Sequence, residues 1–321
     1  MSTAAFAARI PARLFASVMG LAGLSLAWRA AAETLKAPAW IGEALGALSV
    51  LVFLVLAAGY LAKLIRAPGA VRSEFTDPVQ GSFLATITVS LLLLAGIVRP
   101  WSFAVAAVIW MVGAAAQLLL AVVTVRSWIS RRPALGQVNP GWFIPTVGNV
   151  IATITGAPLG HVELGWFFLA VGAAFTLVLY PLVLYRLAVH ETLPPALQPT
   201  LFILIVPPAL IFLASVALGG AFDGVAQGFF SISLLVALIL AIRLRQFLVL
   251  PFAASWWAYT FPLDALAVAA LRYHEGLGAR PSAALAIAVL AIATAVVALV
   301  FLLTLQALIS GTLLPAAQKP A

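Results

Sequence analysis

The sequence predicts an all-α integral membrane protein of ten transmembrane helices, paired as five helical hairpins with the odd-numbered helices inside and the even-numbered ones outside. Three observations carry that prediction. Of 321 residues, 64% are hydrophobic and 8% charged, at a mean hydropathy of +1.17, far more apolar than a soluble domain of this size needs. About ten apolar runs reach the roughly 20 residues that carry a helix across the hydrocarbon core. The cations fall on alternate links between those runs, as the positive-inside rule requires.

The runs lie near 11–31, 40–65, 81–98, 101–127, 141–158, 162–189, 199–219, 225–249, 252–273 and 282–311. Odd and even runs differ. The first carries Ser17 and Ser25, the third Ser82, Thr86, Thr88 and Ser90, the fifth Thr146, Asn149, Thr153 and Thr155, and the ninth Ser255 and Thr260. The second, eighth and tenth are nearly pure aliphatic, as "LVFLVLAAGYLA", "LLVALILAI" and "LAIAVLAIATAVVALVFLL" show. Prolines well inside apolar runs are Pro145 in the fifth, Pro181 in the sixth, Pro207 and Pro208 in the seventh and Pro262 in the ninth. A helix broken by proline frees backbone carbonyls, and these survive in a membrane only where protein or water surrounds them. The odd runs therefore belong inside, with Pro145, Pro207, Pro208 and Pro262 as kink sites. Serine and threonine also pack helices together, which accounts for part of the polar set but not for the alternation.

With a cytoplasmic N-terminus, the inside ends hold Arg9, Arg13, Lys63, Arg66, Arg72, Arg126, Arg131, Arg132, Arg186, Arg243, Arg245 and Lys319, against Arg29, Lys36, Arg99, Arg272 and Arg280 outside. The net charge of +8 thus reports topology, and no nucleic-acid partner is expected. An even number of spans puts both termini inside, and residues 1–321 read as one multi-pass domain of bacterial inner-membrane type. A cleavable signal peptide at the N-terminus would leave an odd helix count and spoil the alternation. The two longest polar links, "RAPGAVRSEFTDPVQG" at 66–81 and "SRRPALGQVNPG" at 130–141, read as solvated turns, with Asp77-Pro78 opening the third helix.

Several function classes lack their residues. There is no cysteine, hence no thiolate metal site, and no metal or cofactor is expected. His161, His190 and His274 fall at links or run ends, and neither H-E-x-x-H nor G-x-S-x-G occurs, so no enzyme is expected. A retinal-type pigment needs an intramembrane lysine, but Lys36, Lys63 and Lys319 are peripheral.

The stretch "WWAYTFPLDALA", 256–267, combines a kink, a large ring and a carboxyl group. Pro262 clashes with the carbonyl of Ala258 and pushes Phe261 away from helical dihedrals. An aromatic ring at such a break can close a passage as a hydrophobic plug, or it can be a core residue packing on its neighbours. Asp264 is the only carboxylate well inside a run, since Glu43 reads as interfacial. It must be protonated, paired or turned to water. Hydrogen bonding to a neighbouring helix and a proton-linked modulator are both compatible with its position.

Four stretches in order, "IPARLFASVMGLAGLSLAW", "EFTDPVQGSFLATI", "PTVGNVIATITGAPLG" and "WWAYTFPLDALA", resemble the tellurite-resistance/dicarboxylate transporter family, which includes bacterial TehA and the plant guard-cell slow anion channel. The similarity covers about residues 10 to 312. It implies a homotrimer of ten-helix protomers, each with its own pore among the odd helices, and it implies that Phe261 occludes that pore. Ser17, Gly20, Thr86, Asn149, Thr153 and Thr260 are then the candidates to line it, while Gly20, Gly23, Gly148 and Gly156 mark helix approaches or bends. The implied substrates are small inorganic anions such as chloride and nitrate. A pore with no lysine or arginine at mid-membrane would pass them by ease of dehydration, helped by the cytoplasmic cations. The competing expectation is a secondary transporter or exporter of dicarboxylate, sulfite or a toxic oxyanion such as tellurite.

Overall fold

The computed structural model describes residues 10–313 except Pro78 and Ala221; Arg9, Pro78 and Lys319 lie outside the described residues. Among those described there is no strand. Eight helices are long and apolar enough to cross a membrane: α1 (Ala12–Leu35), α2 (Ala39–Arg66), α3 (Gln80–Val98), α4 (Phe103–Arg131), α6 (Val162–Val189), α7 (Pro195–Ala217), α8 (Gly224–Ile242) and α10 (Arg280–Ile309). A bent pair, Pro140–Val147 with Asn149–Leu159, makes a ninth, α5. The helical segments Ala254–Tyr259 and Thr260–Leu277 form α9. Its lower apolarity comes from Asp264, Arg272 and Glu275. The molecule is a multi-pass membrane protein.

Burial divides the helices as polarity does in the sequence. The apolar windows of α1, α3 and α7 are 78%, 67% and 83% buried, against 11%, 33%, 28%, 22% and 33% for α2, α4, α6, α8 and α10. Contacts run from α1 to α3, α5, α7 and α9 and back to α1, while each even helix lies chiefly on the odd helix next to it in the chain. Large apolar side chains such as Leu54, Ile129, Leu177 and Leu299 point outward, which suits lipid and not water.

Small residues and polar bridges set these packings. Ser25 donates to the Gly42 carbonyl (2.6 Å) and Thr153 to that of Gly165 (2.8 Å), at glycines where α2 and α6 approach α1 and α5 closely. Indole N–H groups tie other pairs: Trp28 to Thr294 (3.1 Å), Trp257 to Thr304 (3.0 Å) and Trp110 to the Ala152 carbonyl (2.9 Å). Each bond spares a polar atom from hydrocarbon.

The link at 66–81 is largely exposed, as expected, but it is a helix and not a turn over much of its length. Pro68 starts a nine-residue helix, Pro68–Thr76, where a proline costs no hydrogen bond. Its Glu74 is buried and paired with Lys63 at 2.7 Å. Asp77 then accepts from the backbone N–H of Val79 and Gln80 (2.9 and 2.7 Å), the capping role its type predicts.

Candidate functional site

All five inner helices change character near one level. In α1 a 3-10 turn, Ala12–Phe15, becomes α-helix at Ala16. In α3 the helix is interrupted at Leu84, between Gln80–Phe83 and Ala85–Val98. In α5 the axis bends by 45° at Gly148. In α7 a 3-10 stretch, Pro195–Ile205, ends where Val206–Ala217 begins, with Pro207 and Pro208 in the first α-turn. In α9 the 3-10 turns of Ala254–Tyr259 give way to α-helix at Thr260, with Pro262 in its first turn. A proline there loses no α-helical bond, and its ring blocks continuation of the α form backwards. Phe261, expected to leave helical dihedrals, instead stays in the helix because the change of type falls before it.

Three cavities follow one another at and around this level. The central one, about 50 Å³, is lined from all five inner helices, among them by Ala16, Phe83, Gly148, Val206 and Phe261. Its polar side chains are both spent elsewhere: the Thr86 hydroxyl donates to the Ala12 and Phe83 carbonyls (2.9 and 2.7 Å) and the Trp257 indole N–H to Thr304 (3.0 Å). Towards the C-terminal ends of these helices lies an outer vestibule of about 540 Å³. Phe261, Ile151 and Leu210 line both spaces and so stand between them. Towards the N-terminal ends lies a smaller cavity of about 70 Å³ reached by Arg13 and Glu74; Ala16, Phe83 and Ala258 separate it from the centre.

Charge is arranged at the two mouths and absent between them. In the outer vestibule Arg272 pairs with Glu33 and Glu275 (both 2.7 Å) and Arg29 with Glu43 (2.8 Å). Arg99 at that mouth and Arg13 at the other have no hydrogen-bond or ion-pair partner among the described residues. Asp264 belongs to the vestibule wall yet is 0% exposed, and neither carboxyl oxygen has a partner. A β-carbon at Gly23 would stand 2.9 Å from Asp264 Oδ2 and 3.2 Å from Phe261 Cδ2, so this glycine makes room for both.

Of the six residues named from the sequence as wall candidates, Thr86 lines a cavity described above. Ser17, Gly20, Asn149, Thr153 and Thr260 do not line these spaces, and the reason is shared. Ser17 donates to Leu14 O, Thr260 to Trp257 O, Thr153 to Gly165 O, and Asn149 to the carbonyls of Pro145 and Thr146. Gly20 meets Thr260 so closely that any β-carbon would overlap its hydroxyl. These residues hold the inner helices together, and the walls of the central cavity are left almost wholly to apolar side chains.

Gln117 has a role the sequence did not reveal, beside Gly148, one of the glycines expected to mark a helix approach or bend. From α4, Gln117 donates to both the Ile144 and Pro145 carbonyls (3.0 Å each), freed by the bend in α5, and accepts from Thr88 of α3. A lone amide inside "GAAAQLLLAVV" was the available signal. A methyl at Gly148 would overlap the Ile144 carbonyl oxygen and approach Gln117 Nε2 to 2.8 Å. Gly148→Ala is therefore expected to cost about 1–3 kcal/mol by overpacking, read as a lowered unfolding temperature in detergent, whereas Gly136→Ala, with nothing within 4 Å, should leave it unchanged.

Comparison with known proteins places this architecture. Residues 9–305 match the family model described as voltage-dependent anion channel, SLAC1. The S-type anion channel SLAH3 of Arabidopsis thaliana is 32% identical over 300 residues, covering 91% of this chain and 47% of its own length. The guard cell S-type anion channel SLAC1 of the same plant is 30% identical over 322 residues, 97% of this chain and 58% of its own. The tellurite resistance protein TehA homolog of Haemophilus influenzae is 26% identical over 271 residues, covering 83% and 82%. The chain spans about half the length of these plant relatives.

Proposed function

The chain belongs to the voltage-dependent anion channel family, and on that premise we propose that it is a channel for small monovalent anions such as chloride and nitrate. The observation that carries this reading is an apolar cavity lined from all five inner helices, with Phe261, Ile151 and Leu210 bordering both it and the vestibule; in this reading the ring of Phe261 is the gate between them. In this reading α9 is the tenth crossing, the ten helices form five hairpins with the inner five around a pore, both termini are cytoplasmic, and three such protomers assemble. Unpaired Arg13 and Arg99 raise the anion concentration at the mouths. The neutral passage between binds anions weakly enough to release them. Purified protein in liposomes tests it: imposed gradients should drive chloride and nitrate and leave potassium behind, and equal movement of potassium removes the anion assignment.

Asp264 enters as the modulator of this pore, three residues from the gate and beside the conducting route. Its replacement by asparagine keeps the shape and removes the titratable proton. Asp264→Asn should flatten the pH dependence of anion flux, and an unaltered pH profile would take Asp264 out of the mechanism.

A second reading, export of dicarboxylate, sulfite or a toxic oxyanion such as tellurite, draws on the similarity to the tellurite resistance protein TehA homolog over about four fifths of each chain. Flux that saturates and requires a counter-substrate would favour it over a channel.

A further inference from the structure

A second large cavity, about 510 Å³, shares no lining residue with the three spaces described above and lies between the end of α4, the start of α3 and the turn that enters α5. Its polar groups are unusually idle. Threonine and serine in these helices commonly donate back to a carbonyl three or four residues earlier, as Thr155, Thr176, Thr294 and Thr304 do. Thr124, Ser127 and Ser130 of α4 and Ser82 of α3 line this cavity and make no such bond, nor any other among the described residues. Arg126 also lines it, exposed and without a partner. Arg131 uses Nη1 on the Thr76 carbonyl (2.7 Å) and keeps other N–H groups free. One carboxylate is present, Asp77, and it is engaged in capping α3.

We propose that this cavity binds the phosphate group of an anionic phospholipid in the leaflet at the arginine-rich end of the molecule. Several unspent hydroxyl donors around one free guanidinium suit a group with many acceptor oxygens and a negative charge. Three features favour a lipid as its source. The pocket opens on an outer helix whose Leu119, Val122 and Ile129 are 62%, 57% and 73% exposed, so an acyl chain has a surface to lie on. Leu120 and Val123 continue that surface into the cavity. Trp128, stacked on Trp142 with ring centroids 4.3 Å apart, marks the interfacial level at which head groups reside. The site lies outside the conducting route and does not depend on ion conduction.

Native mass spectrometry of the purified protein, with phosphatidylglycerol or phosphatidylcholine added in detergent, tests the assignment. The wild type should retain phosphatidylglycerol preferentially. Arg126→Gln should weaken that retention about fivefold, in keeping with one cation near a charged interface, and Ser127→Ala/Ser130→Ala should weaken it again, with phosphatidylcholine unaffected. Arg126 is exposed and bonded to nothing, so its variant should keep the wild-type unfolding temperature. Equal retention by wild type and variants overturns the site. Full displacement of lipid by inorganic phosphate assigns the pocket to a free anion and overturns the lipid. A second copy of the chain as occupant is excluded or shown by Ser127→Cys, the sole thiol in a cysteine-free chain: if assembly shields it from maleimide in the absence of lipid, the lipid assignment falls.

Discussion

Phe261→Ala is expected to raise anion flux through the reconstituted protein about a hundredfold. The ring is 7% exposed and stands with Ile151 and Leu210 between a cavity of about 50 Å³ and a vestibule of about 540 Å³. An anion crossing that point must displace the ring or pass an apolar constriction that water does not wet. Truncating it joins the two spaces, and lowering the barrier by about 3 kcal/mol corresponds to that rise, since each 1.36 kcal/mol is tenfold. Stability separates a gate from a core residue. A phenylalanine packed on all sides loses about 3–5 kcal/mol on truncation because a void opens. Here the ring already borders free volume on two sides, so the unfolding temperature should fall less than for Phe212→Ala, whose ring is 0% exposed and lines none of these spaces. A folded Phe261→Ala protein with unchanged flux would return the ring to core packing.

The division into inner and outer helices was legible in the sequence because it has a thermodynamic cause that leaves a compositional trace. Prolines and hydroxyls are costly against lipid, so four of the five intramembrane prolines, Pro145, Pro207, Pro208 and Pro262, fall on helices shielded by others, while Pro181 stands exposed in α6 as the exception. Which residues line the cavities was far less legible. Polarity suggested Ser17, Asn149, Thr153 and Thr260, but a hydroxyl or amide in a dry interior is stabilised by bonding the nearest carbonyl, and each of these does so. The walls fall to Ile144, Ile151, Val206, Leu210 and Phe261, apolar residues that no polar signal distinguishes from any other core position. The role of Gln117 was hidden for a related reason: its partners are carbonyls of α5, and backbone atoms carry no sequence signature. The short helix at Pro68–Thr76 escaped because its stabilising contact, Glu74 with Lys63, joins residues eleven apart across a link.

That ion pair yields the second large expected effect. Lys63 Nζ lies 2.7 Å from Glu74 Oε1 and donates to the Ile10 carbonyl (2.9 Å), while Tyr60 donates to the other carboxylate oxygen (3.0 Å). Lysine and glutamate side chains are 3% and 10% exposed, so solvent screens them little. Breaking a buried pair from one side strands the remaining charge and costs about 3–5 kcal/mol, whereas replacing both partners by apolar groups of similar volume is often close to neutral. Lys63→Met should therefore lower the unfolding temperature sharply, and Lys63→Met/Glu74→Leu should recover most of the loss. Glu74 also lines the inner cavity, which couples this stability effect to conduction. With Lys63 present its charge is balanced; with methionine in its place, a bare carboxylate would face the proposed anion route beside Arg13. In a Phe261→Ala background, Lys63→Met should reduce anion flux, with the deficit shrinking as salt rises and screening shortens the reach of the charge. The double replacement should restore flux along with stability. Recovery of stability without recovery of flux would show that Glu74 acts on the fold alone and that the inner cavity lies off the conducting route.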